Sequence, residues 1–228
     1  MSERQSPLDT PTLVTFSDER VEPAIRPALQ RFVELLVEWN RVYNLVGPGA
    51  SPAIWTHHVL DSLSVTSLIE GVRVADIGSG AGFPGLVLAI AFPARSFVLF
   101  DANGKKARFL AHAKRQLGLD NIEIVNARVE ETRASSRPSF GTLITRALGT
   151  IAYFLEVSSP LAGPGTQWLA MKGRIPREEI ESLPRGYRLE KLWRIRIAEV
   201  LAERHVVDLR LTDAAHQEPV SQRTSPYG

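Results

Sequence analysis

The stretch Asp76-Ile77-Gly78-Ser79-Gly80-Ala81-Gly82-Phe83-Pro84-Gly85 sets four glycines within ten residues, between two apolar runs of different character. Upstream, Val72-Arg73-Val74-Ala75 has the length of a short strand, and downstream Leu86 to Phe92 suits a buried helix. A strand that passes into a helix through such a turn belongs to an α/β layered fold. Glycine there permits positive φ angles and lets a ligand reach the main chain with no Cβ in the way. Pro84 fits the first helical turn, where no backbone N–H is needed.

Two classes of nucleoside cofactor use a loop of this kind. Gly80-x-Gly82-x-x-Gly85 satisfies the dinucleotide pattern, in which the first glycine follows the strand directly and the pyrophosphate meets only N–H groups. Here Asp76 precedes the first glycine, Gly78, by two residues. A carboxylate at the strand end repels a pyrophosphate, whereas S-adenosylmethionine carries an ammonium and a sulfonium and no phosphate. Asp101 ends the next strand-like run, Ser96 to Phe100, where a carboxylate can accept both hydroxyls of a ribose. Asp101 therefore points to a nucleoside, and Asp76 to the sulfonium kind.

With 228 residues and 44% hydrophobic content, one sizeable core with appendages is expected. No run is apolar enough to span a bilayer and Met1 to Thr12 lacks a signal-like core, so a soluble, cytoplasmic protein is expected. The chain has no cysteine, which excludes disulfides, thiolate zinc sites, cysteine attack on a pyrimidine ring and radical chemistry from a cysteine-bound cluster. A net charge of +2 does not by itself indicate nucleic acid. Distribution is more informative: Lys105, Lys106, Arg108, Lys114 and Arg115 fall between Gly104 and Gly118 without an acid. At helical spacing Lys105, Arg108, His112 and Arg115 form one stripe, either a solvated helix face or a contact for RNA phosphates.

Along the chain, residues 1–20 and 212–228 are polar and read as tails, 21–70 as a helical N-terminal cap, and 71–211 as the catalytic domain. Leu29, Phe32, Val33, Leu36, Val37 and Tyr43 recur at helical intervals, ending near Gly47-Pro48-Gly49. Ser51-Pro52 resembles the start of a second helix running to about Ile69. Beyond the glycine loop strands and helices alternate through Met171, the pattern of a mostly parallel, doubly wound sheet. Tyr187 to Ala198 and His205 to Leu211 then suggest an antiparallel hairpin. In such sheets ligands bind outside the strands' carboxyl ends, so Asp76, Asp101, Ala127 to Glu130, Arg146 and Lys172 should converge on one rim.

With these positions in place, the chain resembles the bacterial 16S rRNA guanine-N7 methyltransferase G family, also called glucose-inhibited division protein B. The resemblance runs from about Leu35 to Arg210 and rests on an ordered set of segments. These are Glu38 to Leu45, His58 to Leu63, the Asp76 to Gly85 loop, Gly104 to Leu110, Asn126 to Glu130, Thr145 to Ala147, Ala170 to Gly173 and Glu203 to His205. It implies a Rossmann-like class I S-adenosylmethionine-dependent methyltransferase with a seven-stranded sheet. Gly78 and Phe83 would contact the cofactor, Asp101 its ribose, Val129 and Glu130 its adenine, with Arg146 lining the same pocket. Asp76, Gly80 and Gly82 complete the expected cofactor-binding set. The substrate it implies is a guanine in the decoding-centre loop of 16S rRNA, in naked RNA, the small ribosomal subunit or its precursor. Two positions depart from the family pattern: Gly141 stands where an acid is usual after the aromatic Phe140, and His57 where a base commonly precedes the histidine.

Guanine N7 exposes a lone pair in the ring plane and needs no deprotonation. Consistent with that, Thr145-Arg146-Ala147-Leu148 lacks the Asn/Asp-Pro-Pro-aromatic segment of enzymes that methylate exocyclic amines. In-line alignment and charge stabilisation would then carry the reaction. No residue is assigned to proton transfer; Asn40, Asn44, His58, Arg146 and Lys172 are the candidates for positioning the substrate. His57 and Asp61 lie one helical turn apart without a third ligand, so no metal is expected. The competing functions are a small-molecule methyltransferase, a nicotinamide oxidoreductase and a non-catalytic RNA-binding module.

Overall fold

Apolar residues fill the central strands on both faces, as a sheet covered by helices on either side requires. In the computed structural model, which describes residues 8, 10–47, 53–131 and 139–212, eight strands form one sheet in the order β1-β7-β8-β6-β5-β2-β3-β4. They are β1 (Thr12–Phe16), β2 (Arg73–Ile77), β3 (Ser96–Phe100), β4 (Ile122–Val125), β5 (Thr142–Arg146), β6 (Gln167–Lys172), β7 (Tyr187–Ile197) and β8 (Arg204–Leu211). Only β8 runs antiparallel to its neighbours, β6 and β7. Val74, Phe97, Leu99, Ile144, Leu169 and Met171 pack on one face with α1 (Arg26–Tyr43), α3 (Gly85–Ala91) and α4 (Gly104–Leu117). Ala75, Ile77, Val98, Phe100, Leu143, Trp168 and Ala170 pack on the other with α5 (Ile151–Ser158) and α6 (Arg177–Glu181). The order reverses at β2, which pairs with both β3 and β5, and this switch point opens the crevice where α/β sheets bind ligands.

The sheet thus contains the seven expected strands and one more. Residues 1–20, expected as a tail, include β1, whose residues pair with β7 in parallel from Thr12 opposite Trp193 to Phe16 opposite Ile197. Thr-Leu-Val-Thr-Phe is β-branched and aromatic, and Val14 and Phe16 turn inward to the core, so a neighbour with a long free edge suffices to order it. Residues 1–7, 9 and 213–228 of the two expected tails lie outside the described residues.

Within the 21–70 segment, α1 buries Leu29, Phe32, Leu35 and Leu36 and shares the sheet's core rather than forming a separate unit. Phe32 packs edge-on to Phe83 at 5.4 Å, and the partly buried Trp39 lies 5.7 Å from Phe109. The expected second helix is broken in three: a π-helical turn at Trp55–Leu60, α2 (Asp61–Leu63) and a 3-10 turn at Thr66–Leu68. Ser62, Ser64 and Thr66 donate their hydroxyls to the carbonyls of His58, Asp61 and Leu63, which competes with a regular helical ladder. Its expected start, Ser51-Pro52, lies outside the described residues.

Candidate functional site

The glycine loop is organised by two aspartates at adjacent strand ends. Asp76 is fully buried and its Oδ2 accepts the amide hydrogen of Gly85, 2.8 Å away, across the whole loop. Burial pushes its carboxyl up to about 7 against the Gly85 hydrogen bond, and Oδ1 has no hydrogen-bond partner among the described residues. Asp101 accepts from Gly80 N through Oδ2 and from Asn103 N through Oδ1, each at 2.8 Å. The two acids therefore hold the loop from below and from the side.

Two cavities adjoin along the carboxyl ends of the strands, sharing Ala147 and Leu148. The first, about 290 Å3, is lined by Gly78, Asp101, Lys106, Val129, Glu130 and Tyr153. Gly78 has φ +75°, and a Cβ on it would lie 2.8 Å from Leu148 Cδ1, so the leucine rests directly on the loop. The second, about 420 Å3, is lined by His58, Asp61, Arg146, Lys172, Arg204 and His205.

Charge pairing dominates the larger cavity. The buried carboxylate of Asp61 accepts from Arg146 Nη1 at 3.0 Å and from Arg204 Nε at 3.2 Å. Arg146 Nη2 lies 2.8 Å from His58 Nδ1. A guanidinium only donates, so His58 Nδ1 accepts and the ring is the neutral tautomer protonated on Nε2. Desolvation, helped by Arg146, lowers the His58 pKa to about 4, in keeping with that assignment. His58 stacks on Phe83 at 5.0 Å, and Arg146 sits 5.1 Å over the same ring. Lys172 Nζ is held by Gly149 O at 2.8 Å and by both carboxylate oxygens of Glu179, while Glu179 Oε2 also accepts from Ile151 N at 2.6 Å. Three cations, Arg146, Lys172 and Arg204, thus face two carboxylates, Asp61 and Glu179, leaving an excess of one positive charge.

The structure separates the residues singled out in the sequence. Gly78, Asp101, Val129 and Glu130 line one cavity, and His58, Arg146 and Lys172 line the other. Asp76, Gly80, Gly82 and Phe83 line neither and shape the loop: a Cβ on Gly82 would meet Leu86, Leu110 and Phe32 at 3.0–3.2 Å. Asn40 and Asn44 also line neither. Asn40 Oδ1 accepts from Val46 N at 2.9 Å, and Asn44 ends α1 in the left-handed conformation, so both are engaged in closing the helix. The His57/Asp61 pair is explained by arginine, since both Asp61 oxygens are taken by guanidinium groups. A side chain at Gly141 would approach Gly71 Cα to 2.9 Å and Glu70 O to 3.1 Å, which accounts for glycine where the family pattern has an acid. Arg204, Glu179 and Leu148 were not singled out by sequence. Arg204 lies within Glu203-Arg204-His205, a segment of the resemblance that carried no assigned role.

Comparison with known proteins agrees with this geometry. Residues 25–207 match the family described as rRNA small subunit methyltransferase G. The protein of that name from Nitrosococcus oceani is 45% identical over 182 residues, covering 80% of this chain and 84% of its own. That from Aromatoleum aromaticum is 40% identical over 194 residues, covering 83% and 91%. Among solved structures, a SAM-dependent methyltransferase from Aquifex aeolicus aligns with TM-score 0.52 and 18% identity over 76% of this chain and 98% of its own. TrmN from Thermus thermophilus aligns with TM-score 0.51 and 19% identity over 68% of this chain and 48% of its own. These two share the fold. With a family match spanning most of its length and relatives near 40% identity, the chain belongs to the rRNA small subunit methyltransferase G family.

Proposed function

We propose that the protein transfers the methyl group of S-adenosylmethionine to N7 of a guanine in the decoding-centre loop of 16S rRNA. The observation that carries this reading is the pair of adjoining cavities, one holding the acid and glycine of a nucleoside site, the other bearing an excess cation. The residues present fit the cofactor. Each Asp101 oxygen accepts one backbone N–H and keeps a further lone pair for a ribose hydroxyl, and Gly78 offers bare main chain beside it. Val129 and Glu130 would flank the adenine, and Arg146 would take the amino-acid carboxylate. When bound, S-adenosylmethionine supplies an electrophilic methyl group on a sulfonium.

The protein's own part is binding, orientation and charge. N7 needs no base, and three groups that could act as one are engaged: His58 by Arg146, Asp61 by Arg146 and Arg204, Glu179 by Lys172. Lys172 and Arg204 would hold RNA phosphate or the guanine O6 edge, since a cation beside the purine that gains charge would oppose transfer. The substrate would be 16S rRNA, naked or within the small ribosomal subunit or its precursor, and the enzyme would act in the cytoplasm.

The deciding experiment is transfer of labelled methyl from S-adenosylmethionine to 16S rRNA and to small subunits, with the modified base mapped by reductive strand scission specific for 7-methylguanine. Label at one decoding-centre guanine is expected. Label on an exocyclic amine, on another RNA or only on small molecules would overturn the reading.

A further inference from the structure

Strand register links the larger cavity to a part of the sheet whose described side chains are exposed. Lys172 on β6 stands opposite His205 on β8, His205 opposite Arg194 on β7, and Arg194 opposite Leu13 on β1. Side chains paired across a sheet share a face, so this row runs from the cavity to the sheet edge. Two residues on, Arg196 stands opposite Thr15 on the same face, towards the carboxyl-end rim. Ile195, Ile197, Val14 and Phe16 turn to the opposite face and pack into the core, whereas Leu13, Thr15, Arg194 and Arg196 are exposed.

This face is basic. Arg194 and Arg196 have no hydrogen-bond or ion-pair partner among the described residues, and neither has exposed Arg174, which follows Lys172-Gly173 at the rim. Arg20 donates to Thr15 O at 2.6 Å and, with Arg196, lines a groove of about 460 Å3 at the end of β1. Of the described acids nearest in sequence, Glu190 is paired with Arg188, Glu199 accepts from Asp18 N, and Glu203 belongs to the β7–β8 turn. Arginines without a partner among the described residues, on an exposed sheet face beside the cavity mouth, have the chemistry of a phosphate-backbone surface.

We propose that the β1/β7 face is where the rRNA strand lies while its target base occupies the larger cavity, with its phosphates on Arg194 and Arg196. This inference rests on the rRNA reading above. It gives the N-terminal strand a role: β1 widens the sheet beneath the RNA and brings Arg20 to the rim.

The test compares the full chain with its Arg194→Ala/Arg196→Ala and Arg194→Lys/Arg196→Lys variants. The readouts are affinity for naked 16S rRNA across a salt series, methyl-transfer KM for rRNA and for small subunits, S-adenosylhomocysteine affinity and the thermal midpoint. The alanine pair is expected to weaken rRNA binding on the order of ten-fold and to lower the salt slope by about 1.4, from about 0.7 per lost phosphate contact on a single strand. The lysine pair restores most of both, and cofactor affinity and thermal midpoint stay at wild-type values. Unchanged KM and salt slope in the alanine pair, with wild-type transfer intact, overturn the surface alone. A defect on subunits with none on naked rRNA assigns the face to a ribosomal protein and overturns it as well. Wild-type protein that neither binds nor methylates rRNA overturns the functional reading and the surface with it.

Discussion

The Asp76 Oδ2 atom lies 2.8 Å from the amide nitrogen of Gly85, so one carboxylate at the end of β2 fixes the first turn of α3 and closes the loop between them. The acid that distinguishes this loop from a dinucleotide loop is therefore part of its framework. Its electrostatic influence on a cationic ligand acts through the loop, because the side chain is fully buried.

Gly85 has no room for a larger residue. A Cβ there would lie 2.6 Å from Asp76 Oδ2 and 2.7 Å from Asp76 Cβ. Gly85→Ala is expected to cost roughly 1–3 kcal/mol of stability, the usual penalty for overpacking. It should also weaken S-adenosylhomocysteine binding, because the collision is relieved only by moving the loop. Calorimetric unfolding and ligand titration check both; a wild-type thermal midpoint would refute the clash.

Asp76 and His58 should give opposite pH dependences. Asp76 titrates near 3.8 when unfolded and about 7 when folded, so the folded state holds the extra proton between these values and this group makes stability fall as pH rises through that window. His58 titrates near 6.5 unfolded and about 4 folded, so the unfolded state binds the extra proton and stability rises with pH from about 4 to 6.5. Relative to wild type, Asp76→Asn should show a more positive slope of unfolding free energy against pH, and His58→Gln a more negative one. Denaturant titrations from pH 4.5 to 7.5 measure the slopes; two variants parallel to wild type would contradict both assignments.

The carboxylate of Asp61, with 4% of its side chain exposed, serves two arginines. Its removal strands Arg146 and Arg204 in a partly buried site, and Asp61→Ala is expected to lose about 3–5 kcal/mol, the cost of breaking a buried pair from one side. Arg204→Ala, which leaves the Arg146 pair intact, should be milder in unfolding experiments while still impairing methyl transfer. Equal destabilisation by the two variants would count against the shared-carboxylate arrangement.

Glu179 positions Lys172 and the start of α5 together. Glu179→Gln keeps an acceptor for Ile151 N but loses the ion pair. Stability should change by only about 0–1 kcal/mol, as for partly exposed pairs. Methyl transfer is expected to slow on the order of ten-fold through kcat, from misplacement of Lys172, with cofactor affinity nearly unchanged. A defect confined to cofactor affinity would refute that role.

Asp101 spends one lone pair of each oxygen on the loop and directs the rest to the smaller cavity. Asp101→Asn replaces one acceptor with a donor facing the Gly80 or Asn103 amide. It should weaken S-adenosylhomocysteine binding by about ten-fold or more, from the loss of charge-assisted hydrogen bonds worth roughly 1.5–3 kcal/mol each. Isothermal titration at fixed salt checks this, with undiminished affinity as the contrary outcome.

The strand and helix pattern from Arg73 to Leu211 was legible because both faces of the sheet are covered and period and length therefore carry the signal. That Asp101, Val129, Glu130, Arg146 and Lys172 gather around cavities at the rim was legible because strand ends in such folds face the crevice. What could not be read depended on partners distant in sequence. The five-residue β1 resembles a polar tail until β7 is present, and Arg204 and Glu179 acquire their roles from Asp61 and Lys172. Asn40 and Asn44 are polar residues near a rim, and only the left-handed turn after Tyr43 shows that they close a helix. The Trp55–Leu68 region looked like one helix because hydroxyl-to-carbonyl bonds leave no trace in hydropathy.

The pairing of β1 with β7 also orders events in time. Thr12 and Trp193 are 181 residues apart in sequence, yet they are neighbours in the sheet. β7 must therefore be synthesised before β1 can dock, and this edge, with its high contact order, forms late. A nascent chain stalled before β7 would have its central strands in place and β1 still searching for an edge.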